Sequence, residues 1–225
     1  MFLNITVNYC KGDFTMAKKI VITIARQYGS GGREIGEKVA EMLGIPIFDK
    51  QLITDAAAKG NLNEEVIKKT DESAANSLLY TLAMGSNVVG TSMHFGYKMP
   101  INDKLFILQS EVIKSYAKEG SCIIIGRCSD YVLREEENVF RLFIYGDLEH
   151  RKERVQSRHP ELKSSQIIDV INKTDKRRAS YYNFYTGNKW GRYDNYDMAI
   201  NSSTLGIDET AELIAACARK LMEEE

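Results

Sequence analysis

The sequence predicts an α/β fold, a doubly wound parallel sheet of five strands with helices on both faces. Short runs rich in β-branched residues recur along the chain, as is typical of strands that are buried on both faces. Segments with helical character separate these runs. This alternation favours parallel pairing, because the connection between parallel strands has to cross back over the sheet and usually does so as a helix.

The predicted elements follow the chain in order. The five strands are KKIVITIA at 18–25, IPIF at 45–48, SCIIIGR at 121–127, VFRLFIYG at 139–146 and YDMAINSS at 196–203. Helices are expected directly after the first strand, across 50–84, over about 103–119, after Gly146, over about 163–184 and over 207–223. In the first helix, apolar residues recur at spacings of three and four, and Gly44 supplies the stop. Residues 85–102 show no period, which indicates a mobile loop or a substrate-side insertion.

Composition and charge argue against several classes of function. The 30 basic residues balance 31 acidic ones, which gives no support to a general nucleic-acid or membrane-surface binder. No apolar run approaches the ~20 residues that span a bilayer. The four cysteines form no C-x-x-C pair, as expected of reduced thiols in a cytoplasmic protein. The partner is therefore expected to be a small molecule bound in a site.

The chain is expected to form one domain over residues 17–225. Met16 stands just before the first predicted strand, so residues 1–16 are either an N-terminal extension with an extra edge strand or an artefact of the start site. A homo-oligomer is compatible with the sequence, and no membrane partner is expected.

A glycine-rich loop, ARQYGSGGREIG at 25–36, joins the first strand to the first helix. Backbone N–H groups in such a loop, with the positive end of the helix dipole, form an anion site. The residues expected to bind donor phosphates are Gly29, Ser30, Gly31, Gly32, Arg33 and Glu34. Two alternatives are a tight turn whose glycines serve only close packing, and a dinucleotide fingerprint. The fingerprint requires glycine at position 34, where this chain has a glutamate.

The loop departs from the phosphate-binding pattern G-x-x-x-x-G-K-S/T. Alignment on the helix puts Arg26 at the first glycine, Gly31 at the second and Gly32 at the lysine, with Arg33 or Glu34 at the hydroxyl residue. We hypothesise that Arg33 supplies the missing cation, since a guanidinium is always charged. Glu34 is the candidate ligand for magnesium in place of the hydroxyl.

Further arginines lie after the third and fourth predicted strands. Arg151, Arg154 and Arg158 recur at spacings that place them on one helix face, where they are expected to close over a triphosphate and act in catalysis. The alternative is a solvated helix in which Glu149 and Glu153 are ion-pair partners. Arg127 follows the carboxyl end of a buried strand, where open α/β sheets bind ligands, and is expected to contact an anion.

An aromatic segment, SYYNFYTGNKWGRYDNY at 180–196, includes Trp190, the only tryptophan. Aromatics interleaved with basic residues are compatible with stacking on single-stranded nucleic acid. A packed flap beside the last strand and a subunit contact are the other interpretations. We favour packing near the site over nucleic-acid binding, because no long basic stripe flanks the segment.

Five motifs occur in an order and at spacings that resemble the cytidylate kinases, and more closely the cytidylate kinase-like proteins. They are GSGGREIGEKVAEMLGIPIFD at 29–49, IIIGRCSDYVL at 123–133, FIYGDLEHRKERV at 143–155, DKRR at 175–178 and NSSTLGIDETAELI at 201–214. The resemblance covers about residues 18–221. It implies a P-loop kinase fold that uses ATP and Mg²⁺, with a helical acceptor-side insertion over about 50–119 and an arginine-bearing lid over about 148–180.

The resemblance also implies roles for four residues on the acceptor side. Asp49 stands at a family aspartate after the second strand, Arg127 faces the monophosphate, Asp175 recognises a pyrimidine and Arg178 contacts phosphate. The family's aspartate after the Gly-Arg pair is replaced by Cys128. Two functions are therefore weighed: a kinase for a small acceptor, such as CMP or dCMP, and a nucleotide-binding sensor or scaffold without turnover. A third possibility is an RNA-binding module centred on 180–196.

Overall fold

The computed structural model describes residues 18–49, 51–60 and 101–223. The N-terminal segment, most of the helical stretch expected across 50–84, and the loop expected at 85–102 lie outside these ranges, so those expectations stay predictions.

Five parallel strands form one sheet. They are β1 (Val21–Arg26), β2 (Ile47–Phe48), β3 (Cys122–Ile125), β4 (Val139–Tyr145) and β5 (Met198–Asn201), in the order β2-β3-β1-β4-β5. The central strand β1 pairs on both sides, with Ile24 opposite Ile125 of β3 and Leu142 of β4. The predicted α/β fold class, a doubly wound parallel sheet of five strands, is confirmed.

The described helices are α1 (Gly32–Leu43), α2 (Gln51–Lys59), α3 (Ile101–Glu119), α4 (Ser129–Val132), α5 (Leu148–Arg158), α6 (Ser164–Thr186), α7 (Ser202–Leu205) and α8 (Ile207–Glu223), with a 3₁₀ turn at Tyr193–Asn195. Helix α1 ends as predicted at Gly44, which adopts a left-handed φ of 64° and donates its N–H to the carbonyls of Ala40 and Glu41. Strand β5 is shorter than predicted. Its last residue, Asn201, accepts a hydrogen bond from the N–H of Ser203 at 3.0 Å and so caps α7.

Alternate residues of the buried strands divide the core into two layers. In β3, Ile123 and Ile125 pack in the layer that contains α1 and α8, whereas Cys122 and Ile124 pack in the layer that contains α2 and α3. Burial on both faces explains why these strands are apolar throughout rather than alternating with polar residues. From β1 the chain crosses to β2 at one edge of the sheet, and from β4 it crosses to β5 at the other edge. Ligands of open α/β sheets bind at such a switch point, beside the carboxyl ends of the strands.

Candidate active site

The glycine-rich loop lies at this switch point, between β1 and α1. Gly29 and Gly31 have φ angles of 82° and 80°, which side chains rarely adopt. Space also requires them to be glycine. A Cβ on Gly29 would lie 2.9 Å from the carbonyl oxygen of Arg151, and a Cβ on Gly31 would meet Cδ1 of Ile207. The loop is therefore held tightly against α5 and the start of α8.

Side-chain hydroxyls of two serines stabilise the shape of the loop by donating to backbone carbonyls. The buried Ser30 donates through Oγ to the carbonyls of Gln27, at 2.9 Å, and of Ile144 on β4, at 3.1 Å. Ser202 of α7 donates to the carbonyl of Ser30 at 2.6 Å. The Ser30 hydroxyl thus ties the loop to the sheet, and a contact between Ser30 and donor phosphate stays a prediction.

The loop ends at the N-terminus of α1, where Gly31 is the N-cap and has no side chain to cap the helix. The first N–H groups of a helix have no acceptor within it, and the helix dipole gives this end partial positive charge. Backbone donors of α1 therefore adjoin the two loop glycines that have positive φ angles. This combination binds phosphate in many α/β proteins.

An ion pair joins α5, α6 and the loop. Nη1 of Arg151 donates to Oδ2 of Asp175 at 2.6 Å and to the carbonyl of Tyr28 at 3.2 Å. The other oxygen of Asp175 accepts from the N–H of Tyr28 at 2.7 Å. The side chains of Arg151 and Asp175 are only 10% and 17% exposed. We name this set of three residues the loop clasp, because both backbone polar groups of Tyr28 are held by it.

The other two arginines of α5 reach the first turn of α1. Arg154 and Arg158 donate through Nη2 to Oε2 of Glu34, at 2.6 and 3.3 Å. Buried Nε atoms of Arg151 and Arg154 have no hydrogen-bond partner among the described residues. Of the three arginines, Arg151 contacts the loop at Tyr28, whereas Arg154 and Arg158 share the Glu34 carboxylate. Their role as a lid stays a prediction.

A second group of arginines lies on the opposite side of the loop. Arg178 donates through Nη1 to the carbonyl of Arg26 at 2.8 Å. The Asp49 carboxylate forms ion pairs with two arginines: Nε of Arg33 lies 3.5 Å away and Nη2 of Arg26 lies 3.9 Å away. Arg33 also pairs with Glu37 at 3.0 Å, and its side chain is 54% exposed.

The charges in this second group are incompletely balanced. Burial, followed by the neighbouring Arg178, lowers the pKa of Arg26 to about 9, while Asp49 opposes the shift and Arg127 and Arg33 add to it. Burial likewise lowers the pKa of the Arg178 guanidinium. A pKa lowered in this way means that the surroundings disfavour the charged form. An anionic ligand would relieve this cost.

The sequence prediction did not include Arg26 among the site residues. The signal was present: a cation ends the central buried strand, at the position of the first glycine of the phosphate-binding pattern. Apart from Thr23, the residues that precede Arg26 in strand β1 are apolar, so a charged residue at the end of this buried strand suggests a functional role.

The turn after β3 has an unusual backbone. Gly126, Arg127 and Cys128 have φ angles of 71°, 57° and 54°, and only the first is glycine. Non-glycine residues in this region carry strain, which clusters at functional sites. The turn presents Arg127 at the carboxyl end of β3, beside Arg26, whereas the Cys128 thiol is buried and its pKa is raised by that burial.

Behind this turn, Asp130 is a buried carboxylate. Its Oδ2 accepts a hydrogen bond from the hydroxyl of Tyr182 on α6 at 2.7 Å. Burial raises the pKa of Asp130, and the bond from Tyr182 opposes the shift. Asp130 therefore links α4 to α6 in the interior.

The aromatic segment packs against the sheet. The ring of Trp190 meets Phe143 of β4 edge-on at a centroid distance of 5.3 Å, and Tyr196 contacts the same ring at 5.0 Å. These contacts agree with the interpretation of a packed flap beside the last strand.

Within 18–49, 51–60 and 101–223, no helix has the length and apolar character needed to cross a membrane. The same ranges contain no cluster of three or more His, Cys, Asp or Glu side chains suited to a metal ion. Mg²⁺ bound with a nucleotide needs only one or two protein carboxylates, because phosphates and water supply the other ligands. The Glu34 carboxylate, which pairs with Arg154 and Arg158, stays the predicted ligand for magnesium.

The sequence model of the cytidylate kinase-like family matches residues 21–204. The chain belongs to the cytidylate kinase-like family. The match includes the loop, the arginines of α5, the turn after β3 and the loop clasp. No curated protein matches the chain.

Solved structures share the fold. An uncharacterized protein from Eubacterium ventriosum is 26% identical, with a TM-score of 0.66, and the alignment covers 89% of this chain and 98% of that one. A gluconokinase from Sinorhizobium meliloti is 14% identical, with a TM-score of 0.53 and coverage of 92% and 95%. A shikimate kinase from Acinetobacter baumannii in complex with shikimate is 11% identical, with a TM-score of 0.51 and coverage of 94% and 98%. The fold is therefore that of the P-loop kinases.

The loop clasp generates a first prediction. Asp175→Asn removes the charge that Arg151 needs and weakens the hydrogen bond from Tyr28, so the free energy of unfolding should fall by about 1–3 kcal/mol. Urea denaturation measures this change, and amide hydrogen exchange at Tyr28 should accelerate. Asp208→Asn is the matched control, because Asp208 pairs with Lys38 on the surface and should matter little. Equal effects of the two substitutions would contradict a clasp.

The buried Asp130 generates a second prediction. Because its pKa is raised in the folded protein, the folded state binds this proton more readily than the unfolded state does. The stability that this group contributes is present below the unfolded pKa and is lost as the pH rises through the raised folded pKa. Urea denaturation from pH 4 to 8 should therefore show a fall in stability for the native chain that is smaller in Asp130→Asn. Parallel pH profiles for the two proteins would contradict the assignment.

Proposed function

We propose that the protein transfers the γ-phosphoryl group of ATP to a small acceptor, and that the acceptor is a nucleoside monophosphate such as CMP or dCMP. One observation carries the proposal: the phosphate loop lies between two groups of arginines, one from α5 and one at the ends of β1 and β3. Phosphoryl transfer depends on positioning the reactants and on neutralising the charge of the transferring group, so cations on both sides of the reacting group favour it.

The donor side is formed by the loop and α5. Backbone N–H groups from Gly29 to Gly32 are proposed to cradle the phosphates of ATP. Arg151, Arg154 and Arg158 are proposed to cover them and to stabilise the transferring group. The unpartnered Nε atoms of Arg151 and Arg154 support this role, since each is a buried donor that a phosphate oxygen could satisfy.

Glu34 is proposed to hold Mg²⁺, which would neutralise charge on the β- and γ-phosphates when bound. Its carboxylate is 41% exposed in the first turn of α1, so it is accessible from the loop. In the structure it accepts from Arg154 and Arg158. When Glu34 exchanges these partners for the cation, both arginines become available for the phosphates.

The acceptor side is formed by Arg127, Arg178 and Asp49. A surplus of positive charge there suits an acceptor that itself carries a phosphate, whereas a neutral sugar would leave the charge unbalanced. Asp175 is proposed to read the base, as its place in the Asp-x-x-Arg motif suggests. Both of its oxygens also accept bonds in the loop clasp, so base recognition by Asp175 would be coupled to the shape of the phosphate loop.

Arg33 is proposed to add charge near the loop. It pairs with Asp49 and Glu37, and its position at the edge of the site suits contact with the acceptor as well as with the donor. The cysteines at 122, 128 and 217 are free, which supports the cytoplasmic location that we propose.

One observation favours a second function, a sensor or scaffold that binds nucleotide without turnover. Gly32 stands at the position of the lysine that neutralises the transferring phosphate in related loops. A chain that lacks this cation would still bind ATP in the cradle, but it would transfer the phosphoryl group slowly or not at all.

The test is ATP consumption with Mg²⁺ against a panel of nucleoside and deoxynucleoside monophosphates, together with a direct ATP titration. We expect turnover with a pyrimidine monophosphate. Arg178→Gln should raise KM for the acceptor tenfold or more and change ATP affinity much less, because Arg178 is proposed to contact the phosphate of the acceptor. Arg219→Gln is the matched control, since Arg219 donates to the Met42 carbonyl at the far end of α1.

Each result has a distinct meaning. Tight ATP binding without turnover on any monophosphate would contradict the kinase and support the sensor. Absence of ATP binding would contradict both functions.

A further inference from the structure

We propose that Arg26 supplies the phosphate-neutralising cation of the loop, in exchange for the lysine that the loop lacks. This inference rests on the proposed function and assigns a role to a residue outside the predicted site. It has three supports: the position of Arg26 in the pattern, the space that its side chain occupies, and the charges around its guanidinium.

The pattern shows a reciprocal exchange at two positions. Where the pattern has its first glycine, this chain has Arg26, and where the pattern has its lysine, this chain has Gly32. The loop therefore keeps one glycine and one cation at these two positions, with their places exchanged. Loss of the lysine alone would leave glycine at both.

The structure explains why the two changes go together. A Cβ on Gly32 would lie only 2.7 Å from Cβ of Arg26 and 3.1 Å from its Cγ. A lysine at position 32 cannot coexist with the observed Arg26 side chain. A second glycine extends the same channel, because a Cβ on Gly126 would meet Nη1 of Arg26. Two glycines from different elements thus leave room for one arginine.

The path of the side chain leads to the reacting side of the loop. Arg26 leaves the end of β1, passes Gly32 at the start of α1 and brings its guanidinium to the end of β3, where it faces Asp49 at 3.9 Å. This is the region between the phosphate cradle and the acceptor-side arginines. A planar guanidinium can donate to two phosphate oxygens at once, which suits a group placed between donor and acceptor.

The surroundings leave this cation in need of an anion. Its side chain is 19% exposed, and Arg178, Arg127 and Arg33 all act on it unfavourably. The Asp49 carboxylate lies 3.9 Å from Arg26, close to the limit for an ion pair, and it also pairs with Arg33. A purely structural arginine would be expected to have its charge satisfied within the fold. Arg26 instead shares the carboxylate of Asp49 with Arg33, and a bound phosphate would supply the negative charge that is lacking.

The experiment exchanges the cation between the two positions. Five variants are compared with the native chain: Arg26→Gln, Arg26→Lys, Arg26→Gly, Gly32→Lys and the double variant Arg26→Gly with Gly32→Lys. Arg219→Gln serves again as the control. Thermal melting reports folding, calorimetric titration with a non-hydrolysable ATP analogue and Mg²⁺ reports affinity, and ATP consumption with the best acceptor reports turnover.

We expect Arg26→Gln to stay folded and to lose turnover about a hundredfold or more, or, in a chain that only binds nucleotide, to lose affinity at least tenfold. Gly32→Lys alone should be impaired, because its side chain collides with Arg26. The double variant should recover at least tenfold over Arg26→Gly, since it restores the usual arrangement of glycine and lysine. Such recovery cannot come from a residue that only fills space.

Arg26→Lys distinguishes loss of charge from loss of packing as the cause of reduced activity. It keeps the charge and should retain at least tenfold more activity than Arg26→Gln. The inference is overturned if Arg26→Gln matches the native chain within twofold, or if Arg26→Lys and the double variant show no gain. A native chain that fails to bind ATP would instead overturn the proposed function, so the two failures are distinguishable.

Discussion

The site depends on the ion pair between Arg151 and Asp175, because this pair holds both backbone polar groups of Tyr28 and so fixes the phosphate loop. Arg151 comes from α5 and Asp175 from α6, which are separate helices beyond β4. Their contact places α5 beside the loop, and Arg178 of α6 donates to the carbonyl of Arg26 at the end of β1. Since a partly buried pair is costly to break, the three elements keep one relative arrangement.

Positive charge is the second constraint on this structure. Arginines approach the loop from α5, α6 and the ends of β1 and β3, and the carboxylates of Glu34, Asp49 and Asp175 balance part of that charge. Burial, and after it the neighbouring Arg178, lowers the pKa of Arg26, whereas Asp49 opposes the shift. Sites built to bind anions carry such a cost in the free protein, and the ligand offsets it. The proposed kinase therefore gains stability when its substrates bind.

Much of the fold could be predicted from the sequence, whereas the contacts within the site could not. Buried strands such as CIII at 122–125 are apolar throughout, and Gly44 marks a helix end, so local pattern is sufficient there. The loop clasp joins Tyr28 to a residue 147 positions away, a pairing that no periodicity reveals. Arg26 was not predicted, because the phosphate-binding pattern has its cation at position 32. The proposal for Arg26 depends on the close approach of its side chain to Gly32, which the sequence does not show.

We propose that the loop and the arginines of α5 hold the triphosphate of a donor nucleotide. The most direct test is a crystal structure of the native chain with a non-hydrolysable ATP analogue and Mg²⁺. We expect triphosphate oxygens at the N–H groups of residues 29–32, with Arg154 and Arg158 moved from Glu34 to the phosphates. An analogue bound elsewhere, with both arginines still on Glu34 and no phosphate at the loop, would contradict it.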